Sequence, residues 1–348
     1  MKMKTKIKLD SIILGMQRFG GISRYWNHLV AGVSAAYPES KNIMPRTSFN
    51  HESGDNFVNE RVPVFISRYL PVLNINKNEI FHTSYYRWPM TKCKAYVVTV
   101  YDFTYEKFSN SFQKYLHSLQ KFGSIKRADS IICISESTKK DLLHYCKDIN
   151  PQNIHVVHLG IEHNEFYCTK NISDYKRHDN NVLFVGRRDG YKRFDLAVAA
   201  ISRIKTLSLV IVGQKLTDNE IKMLEDKLYG RWKSFYNVDS SKLRELYESS
   251  FAFIFPSDYE GFGLPLIESM ACGCPVVSSS LSSLPEVGGS AALYAPNQDY
   301  QSYLNQLQLL IDSEELRTDM IKLGLLRAQE FTWRNTVLET IKIYNSLK

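Results

Sequence analysis

Residues 257–277 read SDYEGFGLPLIESMACGCPVV, with two glutamates, Glu260 and Glu268, separated by seven residues. The five residues before the stretch's Pro256 and Ser257, 251–255, are aromatic and aliphatic without alternation, as a strand buried on both faces should be. Glu260 therefore follows a strand's carboxyl end. Gly261 and Gly263 permit a tight turn, Pro265 suits the first turn of a helix, and Gly273 and Pro275 close that helix, which places Glu268 in its first turn. In an open parallel sheet, ligands bind beyond the carboxyl ends of the strands, and helix starts favour anions. Ionised carboxylates only accept hydrogen bonds, so two of them aimed at one crevice suit a ligand rich in hydroxyls, such as a sugar or a ribose. Alone, the pattern is also compatible with an ordinary glycine turn and a solvated acidic helix start.

Two further loops bear on that choice. The strand-like run 182–185 leads into GRRDGYKRFDLAVAA, where Gly186 makes the turn and Arg187, Arg188, Lys192 and Arg193 crowd one loop before a helix. A guanidinium grips phosphate in a planar, bidentate way and a lysine acts as a point charge, so Arg187 with Lys192 makes a plausible diphosphate clamp. Arg188 and Arg193 read as solvated. Near the amino terminus, the strand-like run 6–14 enters GMQRFGGISRYWNHLV, where Gly20 and Gly21 would let backbone approach a phosphate and Ser23 would cap the following helix. Taken singly, Gly20-Gly21 is a plain turn; three such loops together point to a nucleotide-sugar site.

With these residues in view, the chain resembles a retaining nucleotide-sugar glycosyltransferase of the GT-B fold, in the paired-glutamate family, family 4. The likeness runs through GGIS, FHTSYY, VVTVYDFTYEKF, ADSIICISESTKKDL, VHLGIEHNEF, the Arg/Lys loop, the glutamate block and EFTWRNT. The resemblance implies two doubly wound Rossmann-like parallel-sheet domains facing across a cleft. It implies that Glu268 holds the ribose hydroxyls and Glu260 the donor sugar, while Phe262, Gly263 and Leu264 offer backbone N–H groups. Arg187 and Lys192 would bind the diphosphate, with Gly21 contacting it from the other domain. Two departures stand out: Tyr101-Asp102 replaces the usual His-Asp, and Gly160-Ile161-Glu162 replaces Gly-Val-Asp. The first leaves a histidine role near the transferred sugar without its residue. Asp102 either meets the acceptor or caps the next helix.

Length and composition agree with this reading without producing it. A chain of 348 residues suits two domains. Alternating strand-like and helical patterns give residues 1–167 as an acceptor-side domain, 168–180 as a linker and 181–330 as the nucleotide-sugar domain. By the resemblance, 331–348 forms a carboxy-terminal helix that returns to the first domain. The strand-like runs are 6–14, 80–82, 96–100, 130–134 and 155–159, then 182–185, 207–212, 251–255, 275–278 and 292–294. Six cysteines without a C-x-x-C pair read as reduced thiols. Asp10 interrupts the one candidate leader, so a cytosolic location, or the cytoplasmic face of the inner membrane, is expected.

Charge is uneven. Residues 1–172 carry 23 Lys and Arg against 14 Asp and Glu, whereas residues 173–348 carry 21 against 22. Within the basic half, Phe112, Tyr115, Leu116, Leu119 and Phe122 recur at helical spacing, with Lys114, His117, Lys121, Lys126 and Arg127 on other faces. Such a helix either lies on an anionic bilayer or packs its aromatic stripe on its own sheet with the lysines solvated. No nucleic-acid-binding signature accompanies the charge. His155 and His158, three apart in a strand, point to opposite faces, and no Asp-x-Asp occurs, so neither a metal nor another cofactor is expected.

The expected reaction is transfer of a sugar, with retention, from a nucleoside diphosphate to an acceptor hydroxyl; that the acceptor is a saccharide or lipid-linked saccharide of a bacterial surface polysaccharide is what the resemblance implies. The rival readings are a GT-B sugar-nucleotide epimerase and a non-catalytic nucleotide-sugar-binding subunit. An oxidoreductase is disfavoured, since no G-x-G-x-x-G opens either half.

Overall fold

The computed structural model describes residues 6–17, 20–46, 57–109, 112–169, 180–188 and 190–347. The chain divides into two compact units, Met1–Gly160 with Trp333–Lys348 and Ile161–Thr332. Each is built on a parallel sheet, and together they have the GT-B fold.

The first unit holds β1 (Lys6–Asp10), β2 (Lys41–Arg46), β3 (Phe57–Pro63), β4 (Glu79–Thr83), β5 (Ala95–Val100), β6 (Ser130–Cys133) and β7 (Ile154–Val156), in spatial order β3-β2-β1-β4-β5-β6-β7. Its central strands β4, β5 and β6 are buried along their whole length; β5 (AYVVTV) is mostly apolar in the sequence, whereas β4 (EIFHT) also buries Glu79, His82 and Thr83. The second unit holds β8 (Asn181–Val185), β9 (Ser208–Gly213), β10 (Trp232–Tyr236), β11 (Ala252–Phe255), β12 (Val276–Ser279) and β13 (Ala292–Ala295), in order β10-β9-β8-β11-β12-β13. In both sheets the order turns at the first strand, which lies between its second and a later one. That reversal opens a crevice at the strands' carboxyl ends, next to β1 and β4 in one unit and β8 and β11 in the other.

Packing explains the layering. Val182, Phe184, Leu209, Ile211 and Ile254 join Ala197 and Ile201 of the helix Phe194–Ser202 in one buried cluster. Each such side chain contributes roughly 1.5–3 kcal/mol when fully buried. In the first unit, helix Trp333–Ser346 lies against helix Gly21–Ala36, where a Cβ on Gly32 would stand 2.4 Å from Val337 Cγ1, so only glycine permits this approach. Tyr344 closes the contact by meeting His82 Nδ1 at 2.5 Å, while His82 Nε2 meets Thr99 Oγ1 at 2.8 Å. Burial drives the His82 pKa down to about 3, so this ring is neutral.

Several expectations change. The run 6–14 is a strand only to Asp10; Ile12–Met16 is a short helix. Ser23 does not cap helix Gly21–Ala36, which starts at Gly21; its hydroxyl donates to the Gln17 carbonyl at 2.6 Å. Residues 161–167 belong with the second unit, because Ile161 N–H donates to the Phe331 carbonyl and the Phe166 ring packs edge-on against Tyr247. Most of the expected linker, 170–179, lies outside the described residues, whereas Thr169 N–H donates to Glu248 Oε1 at 2.5 Å.

The largest correction concerns helix Phe112–Arg127. Tyr115, Leu116 and Leu119 are exposed at 61%, 42% and 54%, whereas His117, Gln120, Lys121 and Ser124 are buried. Lys121 is no surface charge. Its ammonium donates to Glu106 Oε2 at 3.0 Å and to the Asp102 carbonyl at 2.5 Å, and it stands 3.6 Å from the centre of the Phe103 ring. Burial would raise the Glu106 pKa, but His117, Lys121 and Ser118 outweigh it and hold the carboxyl at about 2. A buried ion pair with both partners present is tolerated, while removing one partner costs about 3–5 kcal/mol, so this face is fixed inward.

Candidate active site

In the second unit, the loops after β8 and β11 emerge side by side because those strands are paired. Asp258 ties the loops together. Its N–H donates to the Tyr191 carbonyl at 2.7 Å, and its Oδ1 accepts from Gln298 Nε2 at 2.6 Å. Gln298 Nε2 also donates to the Pro256 carbonyl, and Arg193 reaches Asp258 at 3.5 Å. The Arg/Lys loop and the glutamate loop are therefore held as one assembly within this unit.

The assembly brings two predicted residues into contact: Lys192 Nζ donates to Glu260 Oε1 at 2.5 Å, with the side chains 16% and 13% exposed. The other cations go elsewhere. Arg188 is paired with Glu220 at 2.5 Å and donates to the Lys215 carbonyl, and Arg193 pairs with Asp195, so neither is the solvated charge expected of it. Arg187 is exposed on the loop that begins at Gly186, whose φ is +136°.

A serine clasp shapes the glutamate loop. Glu260 N–H donates to Ser282 Oγ at 2.8 Å, and the hydroxyls of Ser282 and Ser283 donate to the Glu260 carbonyl at 3.0 and 2.9 Å. Ser283 also donates to the Phe262 carbonyl at 2.9 Å. The Phe262 side chain is buried edge-on against Phe331. Asp258, Gln298, Ser282 and Ser283 were not singled out from the sequence. The serine-rich run SSSLSS at 278–283 was the one available sign, and it does not reveal the loop these hydroxyls serve.

Helix Leu264–Ala271 begins at Leu264, so Glu268 sits in its second turn, not its first. Only 6% of Glu268 is exposed, and it is not a solvated rim carboxylate. A helix start leaves its first N–H groups without intrahelical acceptors and carries partial positive charge, which fits an anion at Gly263–Leu264. Gly263 takes φ +103°, and a Cβ there would stand 2.8 Å from Leu284 Cδ2.

In the first unit, Gly20 (φ +153°) precedes Gly21, the first residue of helix Gly21–Ala36, beyond the carboxyl end of β1. Asp102 follows β5, and its Oδ1 accepts from Thr104 N–H at 2.9 Å at the start of helix Thr104–Phe108, so it has the local capping contact among its roles. Tyr101 is buried and its hydroxyl donates to the Ser84 carbonyl at 3.1 Å, which makes it a packing residue and not a free group at the crevice. The six cysteines are free thiols, with Cys133, Cys146, Cys272 and Cys274 buried.

Gly263→Ala tests the loop geometry. The left-handed backbone costs a side chain about 1–3 kcal/mol, with the Leu284 contact added to it, so the thermal midpoint should fall. An unchanged midpoint would show that the turn adapts freely.

The family model for "Glycosyltransferase Family 4" matches residues 19–165, and that for "Glycosyl transferases group 1" matches residues 169–326. O-antigen chain mannosyltransferase B of Escherichia coli is 39% identical over 110 residues, 32% of this chain and 29% of that protein. The chain spans 29–30% of the length of the E. coli mannosyltransferases it matches. Among solved structures, sucrose-phosphate synthase from Thermosynechococcus elongatus superposes with a TM-score of 0.78 at 20% identity, over 99% of both chains. Anabaena HepE in complex with UDP and glucose gives 0.71 at 12% identity, over 98% of this chain and 100% of that one. The two family matches meet near the junction of the two units and account for most of the described chain; this protein belongs to the family 4, group 1 glycosyltransferases of GT-B fold.

Proposed function

We propose that the chain transfers a sugar, with retention at the anomeric carbon, from a nucleoside-diphosphate donor to a hydroxyl of a saccharide acceptor. The observation that carries this reading is the contact between Lys192 and Glu260 on loops locked together by Asp258 at the sheet's reversal point. A cation and an acceptor-only carboxylate, side by side beyond strand ends, match a ligand in which phosphate oxygens adjoin sugar hydroxyls. HepE, of the same fold, is described as a complex with UDP and glucose, which is in keeping with such a donor. The mannosyltransferases among the relatives favour mannose as the transferred sugar and a lipid-linked surface-polysaccharide chain as the acceptor.

In the proposed mechanism, Arg187 and Lys192 draw charge off the diphosphate as the bond from the anomeric carbon to the phosphate oxygen breaks. The acceptor oxygen attacks from the same face and passes its proton to the leaving phosphate oxygen. Cations preorganised at a leaving group supply the electrostatic stabilisation that commonly dominates such barriers. Glu260 holds the donor sugar, and Glu268 holds the ribose. Gly20 and Gly21 let the first unit's backbone approach the phosphates, and Asp102 lies on the acceptor side. With protein cations at the diphosphate, turnover should persist in EDTA.

The two glutamates separate in mutation. Glu268→Gln removes a charge-assisted hydrogen bond and weakens binding of the bare nucleoside diphosphate by about 1.5–3 kcal/mol. Glu260→Gln frees Lys192 from its partner, so affinity for the bare nucleotide stays level or rises while turnover of the intact donor falls. Calorimetry on the nucleotide and rates on the sugar donor, each with and without EDTA, check this. Equal loss of nucleotide affinity in both variants would defeat the assignment, and loss of turnover on chelation, restored by manganese, would defeat the metal-free mechanism.

The reading extends to an anionic membrane surface. Among the described residues no helix is long and apolar enough to cross a bilayer. The exposed Tyr115, Leu116 and Leu119 instead form an apolar face on the basic half of the chain, suited to lying in a lipid interface. Sedimentation with phosphatidylglycerol vesicles should weaken as salt rises, because exposed charges are screened beyond about 8 Å at physiological ionic strength. It should weaken further in Leu116→Glu/Leu119→Glu, and indifference to both changes would remove this face from the account.

A further inference from the structure

A cavity of about 350 Å³ opens in the first unit, among β1, β2, β3 and the segment that follows helix Val64–Ser67. Its size and largely apolar wall are those of a small-ligand pocket. Ile43, Val58, Val62, Leu70, Val72 and Leu73 supply that wall. Of the charged residues that also line it, Lys8, Glu60 and Arg87 are held in ion pairs, and Arg61 is exposed. Arg87, 2% exposed, donates to Asp10 Oδ1 at 3.0 Å, to Glu60 Oε1 at 2.7 Å and to the Leu70 carbonyl at 3.1 Å. Lys8 donates to the Asn74 carbonyl at 2.6 Å and stands 3.3 Å from Glu79. The buried charges are thus already neutralised, and a hydrocarbon in the cavity displaces water from the apolar wall. The Ser67 hydroxyl, buried on the lining, has no hydrogen-bond partner.

Two features say which hydrocarbon. First, the mouth is ringed by exposed apolar side chains: Leu73 is 63% exposed, Leu70 and Val58 43%, and the neighbouring Phe65 68%. Apolar surface of that kind gathered around an opening marks a binding site. Second, the cavity adjoins the unit's crevice: Arg87, on its lining, follows β4 and is hydrogen-bonded to Asp10, the last residue of β1, and these two strands flank the sheet's reversal point. An occupant of the cavity thus continues toward the place where a parallel sheet binds its polar ligand. The ligand that satisfies both features is amphipathic, with its polar part at the strand ends and its chain in the cavity.

We propose that this cavity holds the first carbons of the hydrocarbon chain of a lipid-linked saccharide acceptor, immediately next to the saccharide. The proposal rests on the transfer reading above and adds to it how the acceptor's lipid is recognised. The cavity would then select lipid-linked over free saccharide, and it would fix the depth at which the acceptor's saccharide lies against the strand ends.

Hexyl, heptyl and octyl mannosides, below their micellar concentrations, are the probes, and calorimetry without any donor is the readout. Affinity should rise about fourfold for each methylene that enters the cavity. Leu73→Asp puts a charge at the mouth and Val58→Trp fills it, both at exposed positions, so the thermal midpoint should hold while the chain-length series goes flat. A flat series in the unmodified protein, or the same slope in all three proteins, overturns the proposal. Acceptor-free phosphatidylglycerol vesicles form the second arm: equal sedimentation of the unmodified protein and Leu73→Asp is expected. Loss of sedimentation in Leu73→Asp would assign the cavity to a bilayer lipid and overturn the acceptor assignment. Since these measurements need no turnover, failure of every sugar donor would count against the transfer reading alone.

Discussion

An ammonium and a carboxylate, Lys192 and Glu260, stand 2.5 Å apart with less than a fifth of either side chain exposed. Both ions have lost much of their hydration, and each offsets part of the other's desolvation. The surrounding architecture makes this contact possible. Pairing of β8 with β11 sets their loops side by side, and Asp258 and Gln298 lock them. Ser282 and Ser283 hold the Glu260 backbone from the next loop. Under the proposed function, a donor diphosphate would meet a lysine already oriented, and the reorganisation that normally accompanies charge development would be small.

The parts of the fold that were legible in the sequence are those whose burial is symmetrical. β5 and β11 are buried on both faces and read as unbroken apolar runs. Three strands at or next to one edge of their sheets, β2, β3 and β10, escaped, whereas β7 and β13 at the opposite edges were read. β10, WKSFY, is partly exposed along its length, and β2 and β3 each contain a proline that reads against strand structure. The short helix Ile12–Met16 follows β1 after only Asp10 and Ser11 and resumes its apolar character, so the two were read as one strand. On helix Phe112–Arg127 the periodicity was real but its direction was not encoded in it. Which face turns inward depends on Glu106 and the Asp102 carbonyl, which take Lys121 into the interior.

At the candidate site, the residues that present charge or backbone were legible because their chemistry is local: glycines at turns, cations on one loop, glutamates around a helix start. Their supports were not. Asp258 and Gln298 lie forty positions apart in sequence, and Ser283 and Phe262 twenty-one apart. These contacts exist only once the sheet order is set, and no spacing announces them. The same holds for Arg188, which reads as a solvated charge in sequence and is instead paired with Glu220.

The central claim is that Lys192 grips the donor's diphosphate. Isothermal titration of a nucleoside diphosphate into Lys192→Met tests it most directly, because the substitution keeps an unbranched side chain of nearly the same length and removes the ammonium. The account predicts binding weaker by about tenfold to a hundredfold, the equivalent of one charge-assisted hydrogen bond. Affinity equal to that of the unmodified protein would contradict it.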